Sequence, residues 1–448
     1  MRAADTKKRR AERKAKKMSK ATVIGAGLAG VEAAWQLAKA GIETELWEMK
    51  PLKYSPAHKM TGYAELVCSN SLKAMRLDSA AGMLKEEMRC FGSVCMIAAE
   101  QCAVAAGGAL AVDRDEFSEI ITKLIDENPL ITVKHGEVEK IPEDGVVIVA
   151  AGPLVSDSLA ADIDSLCGGR LSFFDAAAPI VTAESLDYDC VFTQSRYDRG
   201  GEDDYINCPM NKEEYEAFYE AITTAERAGV HAFDERHDVY EGCMPIEAMA
   251  SRGADTMRYG PLRPVGLRDP KTGHRPWAVL QLRRENAEGT LLNLVGFQTN
   301  LKFGEQKRVF SMIPALKNAE FVRYGVMHRN TFIDSPKLLG ADYSFRTRPG
   351  LYFAGQITGV EGYMESASSG ILAGVNAARY IEGKEPLVLK NTTMMGALAE
   401  YISSSPAKDF QPMGANFGIL PPIEPKIRDK RERYAALAKR GLEELETN

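Results

Sequence analysis

The patterned part of the chain begins with a short apolar run, residues 22–24, which predicts a β-strand. Apolar side chains then recur at helical spacing, at Leu28, Val31, Trp35 and Ala38. That spacing predicts a helix, and Gly41 is placed to end it. The next stretch, IETELWEMK, predicts a second strand that ends at Glu48. The order strand, helix, strand is typical of a parallel α/β unit.

Two later segments carry a similar signal. Residues 145–154, GVVIVAAGPL, predict a buried strand followed by a turn of small residues at 151–153. Residues 349–381 predict a strand at 351–354, a glycine-rich loop and a long helix. Small side chains recur along that helix, at Ala367, Gly370, Ala373, Gly374 and Ala377. They would let the helix lie close to a flat ligand or to the sheet.

Composition is that of an ordinary globular chain of 448 residues, 45% hydrophobic and 26% charged. No apolar run approaches the roughly 20 residues of a membrane-spanning helix, so no membrane association is expected. The eight cysteines form no CxxC pair and no cluster with histidine, so we expect neither a metal site nor a disulfide framework. Reduced thiols are typical of a cytoplasmic protein, and we expect a monomer.

Charge is uneven along the chain. Residues 1–20 contain ten Lys/Arg and two acidic residues, a net of +8 in a chain whose net charge is −6. A basic head before an apolar run mimics a signal peptide, but the apolar run is better explained by a nucleotide-binding turn. We interpret residues 1–17 as a disordered extension; a basic arm for nucleic acid is the alternative.

The glycine turn indicates a dinucleotide site. Gly25, Gly27 and Gly30 follow the first predicted strand and open the first helix, as in the GxGxxG motif. The first glycine makes the turn, the second lets the backbone approach a pyrophosphate, and the third lets helix and strand pack closely. Glu48, which ends the second strand, is placed to accept hydrogen bonds from a ribose. An acid there argues against a 2′-phosphate, so FAD or NAD(H) is expected.

The segments at 145–154 and 349–381 favour FAD, because an FAD-binding half split between two parts of the chain explains both. We therefore predict an α/β fold with a Rossmann-like, glutathione-reductase-like FAD-binding domain that is discontinuous. Its parts would be residues 18–182 and 301–448, the latter ending in a helix at 427–445. A mixed α/β insertion domain would occupy residues 183–300, where the pattern changes.

Two cysteines are candidate reactive thiols. Cys68 precedes a Ser-Asn-Ser turn that reads as the entry to a helix, and Cys243 precedes Pro245, which suits a first helical turn. A helix N-terminus lowers the pKa of a nearby thiol, so both positions favour a thiolate. The other six cysteines lie in apolar or strand-like settings and are interpreted as packing residues.

A basic block follows the second cysteine. Residues 251–284 contain eight Lys/Arg and two acids, a net of +6, interleaved with Tyr259, His274 and Trp277. Such a block suits phosphate contacts and base stacking in RNA, while a solvated basic face is the alternative. Its position just after a candidate nucleophile favours RNA.

These segments together resemble one family. The residues that carry the resemblance are 21–48, ELVCSNSLKA (65–74), EGCMPIEAMASRG (241–253), GFQTNLKFGEQKRVF (296–310), RYGVMHRNTFI (323–333) and residues 355–379. They are similar to the bacterial folate- and FAD-dependent tRNA (uracil-5-)-methyltransferases over roughly residues 20 to 420. The segment 355–379 also resembles the larger flavoprotein that modifies tRNA wobble uridines. The chain departs from the family mainly at its basic head.

The resemblance implies 5-methyluridine formation at the T-loop uridine, U54, of tRNA. The carbon would come from 5,10-methylenetetrahydrofolate, and NADH or NADPH would reduce FAD. Cys243 would be the thiol that adds to C6 of uracil, and Cys68 would lie beside the flavin as a base or a reactive thiol. Tyr363 would either stack a folate pteridine against the flavin or be an ordinary wall residue. The expected cofactor-binding residues are Gly25, Ala26, Gly27, Leu28, Ala29, Gly30, Glu48, Gly152, Gly355, Gln356, Gly359, Gly362 and Tyr363.

Three alternatives stay open at this point. The same flavin–folate methylation could act on ribosomal RNA, or the chain could carry out wobble-type uridine chemistry. The latter is disfavoured because only a short charged helix follows residue 420. A third alternative, of another class, is a flavin-holding RNA-binding factor without turnover.

Overall fold

The computed structural model describes residues 20–55, 57–169, 171–176, 178–198, 201, 204–228, 244–286, 288–325, 327–405 and 410–446. The predicted basic extension, residues 1–17, and Cys243 lie outside the described residues. The strands are β1 (Lys20–Ile24), β2 (Glu43–Glu48), β3 (Ser71–Ala74), β4 (Ala103–Val104), β5 (Ala109–Val112), β6 (Ile131–His135), β7 (Val146–Val149), β8 (Leu171–Ala176), β9 (Ile180–Thr182), β10 (Phe192–Thr193), β11 (Ile206–Met210), β12 (Ala278–Arg284), β13 (Leu291–Leu294), β14 (Phe321–Arg323), β15 (Met327–Phe332) and β16 (Leu351–Phe353). The helices are α1 (Leu28–Lys39), α2 (Ala80–Cys90), α3 (Val94–Gln101), α4 (Arg114–Asp126), α5 (Asp157–Cys167), α6 (Lys212–Thr224), α7 (Ile246–Ala250), α8 (Thr256–Tyr259), α9 (Phe303–Phe310), α10 (Ser335–Leu338), α11 (Tyr363–Ile381), α12 (Met394–Ser404) and α13 (Lys430–Glu446).

A parallel sheet with the strand order β16-β7-β1-β2-β6 forms the centre of the fold. Every neighbouring pair in it is parallel. All four side chains of β7 are buried, as expected for a strand covered on both faces. The strand–helix–strand order predicted for residues 22–48 is confirmed, and so are the strands predicted in 145–154 and at 351–354.

The small residues of α11 pack against α1. A Cβ added to Gly370 would lie 2.1 Å from the carbonyl oxygen of Ala29, and one added to Gly374 would lie 2.7 Å from that of Ala33. Both distances are shorter than any real Cβ contact, so these two positions require glycine. The small residues were expected to let this helix approach a flat ligand or the sheet. At Gly370 and Gly374 they instead let it pack closely against α1.

A second sheet is antiparallel, with the order β10-β11-β12-β13-β9-β14. Its core packs against α6, whose N-terminus is fixed by a reciprocal pair of hydrogen bonds between Asn211 and Glu214. Because β9 and β14 lie outside residues 183–300, this sheet extends beyond the predicted insertion on both sides. The domain boundaries themselves stay a prediction. The C-terminal helix predicted at 427–445 is observed as α13.

Candidate functional site

The glycine turn between β1 and α1 is sterically obligatory at two positions. Gly25 has a φ of +98°, and a Cβ there would lie 2.6 Å from the carbonyl oxygen of Ala150. A Cβ at Gly30 would lie 1.7 Å from the carbonyl oxygen of Gly25. Gly27 differs, because a Cβ at that position would meet no described atom within 4 Å. The turn therefore packs tightly against β7 and α1 and leaves open space at Gly27.

Glu48 is buried beneath this turn. Its Oε2 accepts a hydrogen bond of 2.9 Å from the backbone N–H of Ala26, and its Oε1 accepts one of 3.0 Å from the N–H of Lys50. The carboxylate thus holds the turn in place, which is a role that the sequence did not reveal. It also lines the neighbouring cavity, where the predicted ribose contact would be made.

The turn opens into a cavity of about 450 Å³, a volume typical of small-molecule and cofactor sites. Most of the predicted site residues line it, namely Gly25, Ala26, Gly27, Leu28, Ala29, Glu48, Cys68, Gly152, Gly355, Gln356, Gly362 and Tyr363. Gly30 and Gly359 are not among its lining residues. Gly30 packs against the turn, and a Cβ at Gly359 would lie 2.5 Å from the ring of Phe410. Both are glycines for packing reasons.

Cys68 lies on the wall of this cavity, but it does not precede a helix as predicted. The Ser-Asn-Ser turn leads into the short strand β3, which pairs with β5. The Asn70 side chain donates hydrogen bonds to the carbonyl oxygens of Val112 (3.1 Å) and Arg284 (2.9 Å), and Ser69 Oγ accepts one from the N–H of Ser71. These bonds commit the turn to a strand, so no helix begins directly after Cys68.

Tyr363, the first residue of α11, contacts the Cys68 loop through its hydroxyl. The hydroxyl oxygen accepts hydrogen bonds from the backbone N–H of Cys68 (2.7 Å) and of Ser69 (3.1 Å). The Sγ of Cys68 lies 2.9 Å from the same oxygen. Two donors occupy the acceptor positions of the oxygen, so its own O–H is directed to the sulfur. Burial raises the pKa of Tyr363 well above its usual value, which keeps the phenol protonated as a donor.

Arginine side chains hold the other side of the same loop. Arg114 Nη1 donates to the carbonyl oxygens of Leu66 (2.9 Å) and Val67 (3.1 Å), and Arg323 also donates to the carbonyl oxygen of Val67. Arg114 forms an ion pair with Glu285. Burial raises the pKa of Glu285, and the neighbouring arginines oppose that shift.

Arg283 completes this group by donating to Ser69 Oγ (3.1 Å) and Asn70 Oδ1 (2.8 Å). Three guanidinium groups, those of Arg114, Arg283 and Arg323, thus surround one carboxylate, that of Glu285. The excess positive charge beside Cys68 favours an anionic sulfur. Sequence reasoning did not find this arginine cluster, since its members come from α4, β12 and β14. The one available signal was that Arg323 begins the motif RYGVMHRNTFI.

The segment that follows Cys243 is attached to a loop at the same cavity. The N–H of Ile246 donates to the carbonyl oxygen of Gln298 (2.7 Å), and Gln298 lines the cavity. The buried carboxylate of Glu247 accepts hydrogen bonds from Thr299 Oγ1 (2.8 Å) and the N–H of Asn300 (2.7 Å). Residues 298–300 therefore connect α7 to the cavity wall. Where Cys243 itself lies is outside the described residues.

The basic block of residues 251–284 is not uniformly exposed. The guanidinium of Arg258 lies 3.8 Å from the ring centroid of Trp277 and also pairs with Asp255. Tyr259 is 81% exposed. Arg283, however, is buried in the arginine cluster, so it does not belong to the exposed part of the block. The exposed part of the block centres on Trp277.

The described ranges contain neither a metal-type cluster nor a membrane-spanning helix. Within them, no group of three or more His, Cys, Asp or Glu is placed to hold a metal ion. No helix in that part of the chain is long and apolar enough to span a bilayer. Of the cysteines in those ranges, Cys95, Cys102 and Cys208 are buried, whereas Cys90 is exposed rather than packed as predicted.

Comparison with known proteins assigns the family. Residues 20–385 match the family model described as glucose inhibited division protein A, GIDA. The methylenetetrahydrofolate–tRNA-(uracil-5-)-methyltransferase TrmFO of Lactobacillus gasseri is 57% identical over 427 residues, 95% of this chain and 97% of the relative. TrmFO of Acetivibrio thermocellus is 59% identical over 424 residues, 94% and 97% of the two chains. The chain belongs to the TrmFO family.

Solved structures support the fold of this TrmFO family member. The form I crystal structure of Aquifex aeolicus GidA has a TM-score of 0.69 at 16% identity, covering 95% of this chain and 76% of that one. The form II crystal structure gives a TM-score of 0.67 with 96% and 75% covered. At that identity the likeness concerns the fold alone, and it agrees with the α/β, Rossmann-like architecture predicted from the sequence.

Proposed function

We propose that the chain is a methylenetetrahydrofolate–tRNA-(uracil-5-)-methyltransferase that forms 5-methyluridine at the T-loop uridine, U54, of tRNA. The methyl carbon comes from 5,10-methylenetetrahydrofolate, and the reducing equivalents come from NADH or NADPH through FAD. Membership of the TrmFO family supports the reaction. The position of the uridine rests on the resemblance alone. A monomeric state and a cytoplasmic location remain predictions.

One observation carries this proposal. The dinucleotide turn forms one side of a single cavity, and the thiol of Cys68 lies on its wall. The hydroxyl of Tyr363 is hydrogen-bonded to that thiol. A flavoenzyme that transfers one carbon needs a cofactor site and a reactive side chain in the same enclosed space. A cofactor-holding protein without turnover has no use for a thiol that is surrounded by donors and cations.

The residues present fit FAD. Open space at Gly27 and at Gly152, where an added Cβ would meet no described atom within 4 Å, admits a backbone approach by a pyrophosphate. Helix α1 begins at this turn without an acidic residue in its first turn, so its N-terminus favours phosphate charge. Glu48 would hold the ribose, and Gly355, Gln356 and Gly362 would form the opposite wall. Bound FAD supplies the reduction that turns the transferred carbon into a methyl group.

The protein's own residues would prepare the thiol and enclose it. The O–H of Tyr363 stabilises an anionic Cys68 sulfur, and the arginine cluster adds positive charge behind the same loop. A thiolate held in this way can accept the proton that leaves C5 of uracil or can bind a one-carbon electrophile. The structure supports both roles equally.

Cys243 is the proposed nucleophile toward the base. Addition of its sulfur to C6 of uracil forms a C–S bond and moves the electron pair of the C5–C6 double bond toward C5 and O4. C5 then bonds to the one-carbon unit and loses its proton, and the bond from that carbon to tetrahydrofolate breaks. Once the carbon has been reduced to a methyl group, the C–S bond breaks, which releases the thiolate and restores the C5–C6 double bond. The attachment of α7 to residues 298–300 supports this assignment, since it ties the neighbouring segment to the cavity wall.

The test uses the purified full-length protein with its bound flavin. It is incubated with unmodified tRNA transcript, methylenetetrahydrofolate and NADH, and the digested RNA is analysed by nucleoside mass spectrometry. We expect 5-methyluridine, its loss in Cys243→Ala and in Cys68→Ala, and its retention in the control Cys90→Ala. Cys90 is exposed and does not line the cavity.

Repeating the assay with other RNA substrates separates the alternative functions. A transcript with cytidine in place of U54 should remain unmodified. Methylation of ribosomal RNA but not of tRNA would keep the chemistry and change the substrate. Bound flavin without 5-methyluridine in either RNA would refute the proposed enzyme.

A further inference from the structure

A stack of aromatic rings runs from the core of the antiparallel sheet to the surface beside α9. The rings of Phe321 and Tyr324 have centroids 5.4 Å apart and an angle of 8° between their planes. Those of Tyr324 and Phe303 are 4.9 Å apart at 17°. At the inner end Phe321 contacts Phe310, which is fully buried. The stack is thus anchored in the core and ends at Phe303.

The outermost ring is exposed. Phe303 is the first residue of α9, and 55% of it is accessible to solvent. Single exposed hydrophobic residues are common and need no explanation by themselves. Here, however, the exposed ring is held parallel to two further rings, so its orientation is fixed. A fixed, unsubstituted aromatic face suits a flat aromatic ligand that continues the stack.

The surroundings are basic. Residues 302–323 contain five Lys/Arg and two Glu, and three of these cations, Lys302, Lys307 and Arg308, are exposed in or next to α9. Lys302 and Arg308 form exposed ion pairs with Glu226 and Glu305. Exposed pairs of this kind contribute little, so a phosphate can replace the glutamate as partner at small cost. A flat face among exposed cations is the arrangement that binds unpaired nucleotides.

The stack also lies next to the proposed site along the chain. Arg323, the neighbour of Tyr324, donates to the carbonyl oxygen of Val67, the residue before Cys68. At the other side Gln298, which lines the cavity, begins the loop that leads into Phe303. Chemistry on C5 of a uridine requires that base to leave its stack, which deprives the adjoining base of a partner.

We propose that Phe303 is the stacking platform for the unpaired base next to the uridine that enters the cavity. The proposal rests on the proposed function, because it needs RNA as the substrate. It assigns a role to the exposed aromatic residue of the motif GFQTNLKFGEQKRVF, whose last residue, Phe310, is buried in the core. Any base can occupy the platform, since stacking on phenylalanine does not distinguish bases.

The test compares the flavin-loaded proteins Phe303→Leu, Phe303→Trp and Val322→Ala. Val322, 53% exposed, is a matched apolar residue near the stack but has no ring. Loss of one stacked base should weaken binding of unmodified tRNA transcript about tenfold in Phe303→Leu and raise KM with kcat unchanged. Phe303→Trp and Val322→Ala should bind as the wild type does. Flavin content and melting temperature report whether each variant folds.

A second measurement does not depend on any variant. RNA hairpins that carry 2-aminopurine on the 5′ or the 3′ side of the target uridine should lose fluorescence when the wild-type protein binds them. Stacking on an aromatic side chain quenches this base. The quench should disappear in Phe303→Leu and remain in Phe303→Trp.

The outcomes separate the two proposals. Normal methylation together with unchanged affinity in Phe303→Leu, or no quench in either hairpin bound to the wild type, would overturn the platform alone. A wild-type protein that neither binds nor methylates RNA would overturn the platform and the proposed function together.

Discussion

Removing the hydroxyl of Tyr363 is the sharpest test of the thiol environment. The change Tyr363→Phe deletes the acceptor of two backbone N–H groups, those of Cys68 and Ser69, and the O–H directed at the Cys68 sulfur. A hydrogen bond to a charged group contributes about 1.5–3 kcal/mol. Since one pH unit corresponds to about 1.4 kcal/mol, the pH midpoint of Cys68 reactivity should rise by about one to two units.

The assay is alkylation of the purified protein by iodoacetamide over a pH series. Peptide mass spectrometry quantifies the modified Cys68 separately from the other thiols. Tyr352→Phe is the matched control, because Tyr352 is also a buried tyrosine, its hydroxyl donates to the carbonyl oxygen of Asn376 (3.3 Å), and it does not line the cavity. An unchanged midpoint in Tyr363→Phe, or an equal rise in Tyr352→Phe, would refute the assignment of the O–H as a donor to sulfur.

The remaining predictions concern the scaffold. Gly370→Val should lower the melting temperature by several degrees, because the valine side chain would collide with the carbonyl oxygen of Ala29 in α1. The control Gly304→Ala in α9 should be neutral or slightly stabilising, because an added Cβ there meets no described atom within 4 Å. Glu48→Ala should lower FAD affinity at least about tenfold in flavin titrations while the exposed Glu43→Ala does not, because Glu48 accepts the N–H bonds that hold the glycine turn. Burial raises the pKa of Glu87 from 4.5 to about 8, so the native state binds more protons than the unfolded state between these values. The free energy of unfolding, measured by calorimetry, should therefore fall as pH rises from about 5 to 8. Glu87→Gln should make it depend less on pH over that range.

The elements around the glycine turn were predictable because their signals are local. Helical spacing over 28–38, the glycines at 25, 27 and 30, and a continuous apolar run at 146–149 each lie within a few residues. Such signals depend little on the rest of the chain. They were enough to predict the parallel sheet and the turn. Tyr363 entered the candidate residues only through the resemblance to the family, and Cys68 through that resemblance and a helix entry that the structure does not have.

The surroundings of Cys68 were not predictable in the same way. The turn after it becomes a strand because Asn70 bonds to Val112 and Arg284, which are remote in sequence. Arg283 looked like part of an exposed basic block, yet its side chain is buried against Asn70. Contacts of this kind arise only when separate elements meet, and no local pattern records them.

The order of the parallel sheet has a consequence for how the protein is made. Its edge strand β16 pairs with β7, although every strand of the antiparallel sheet lies between them in the chain. During translation, β1, β2, β6 and β7 leave the ribosome long before the strand and glycine loop that close the cavity. A nascent chain therefore lacks the wall that residues 351–366 contribute until these have emerged, by which time the antiparallel sheet has all its strands. We therefore expect cofactor capture to be a late event in biosynthesis, which marks a chain whose two sheets are already complete.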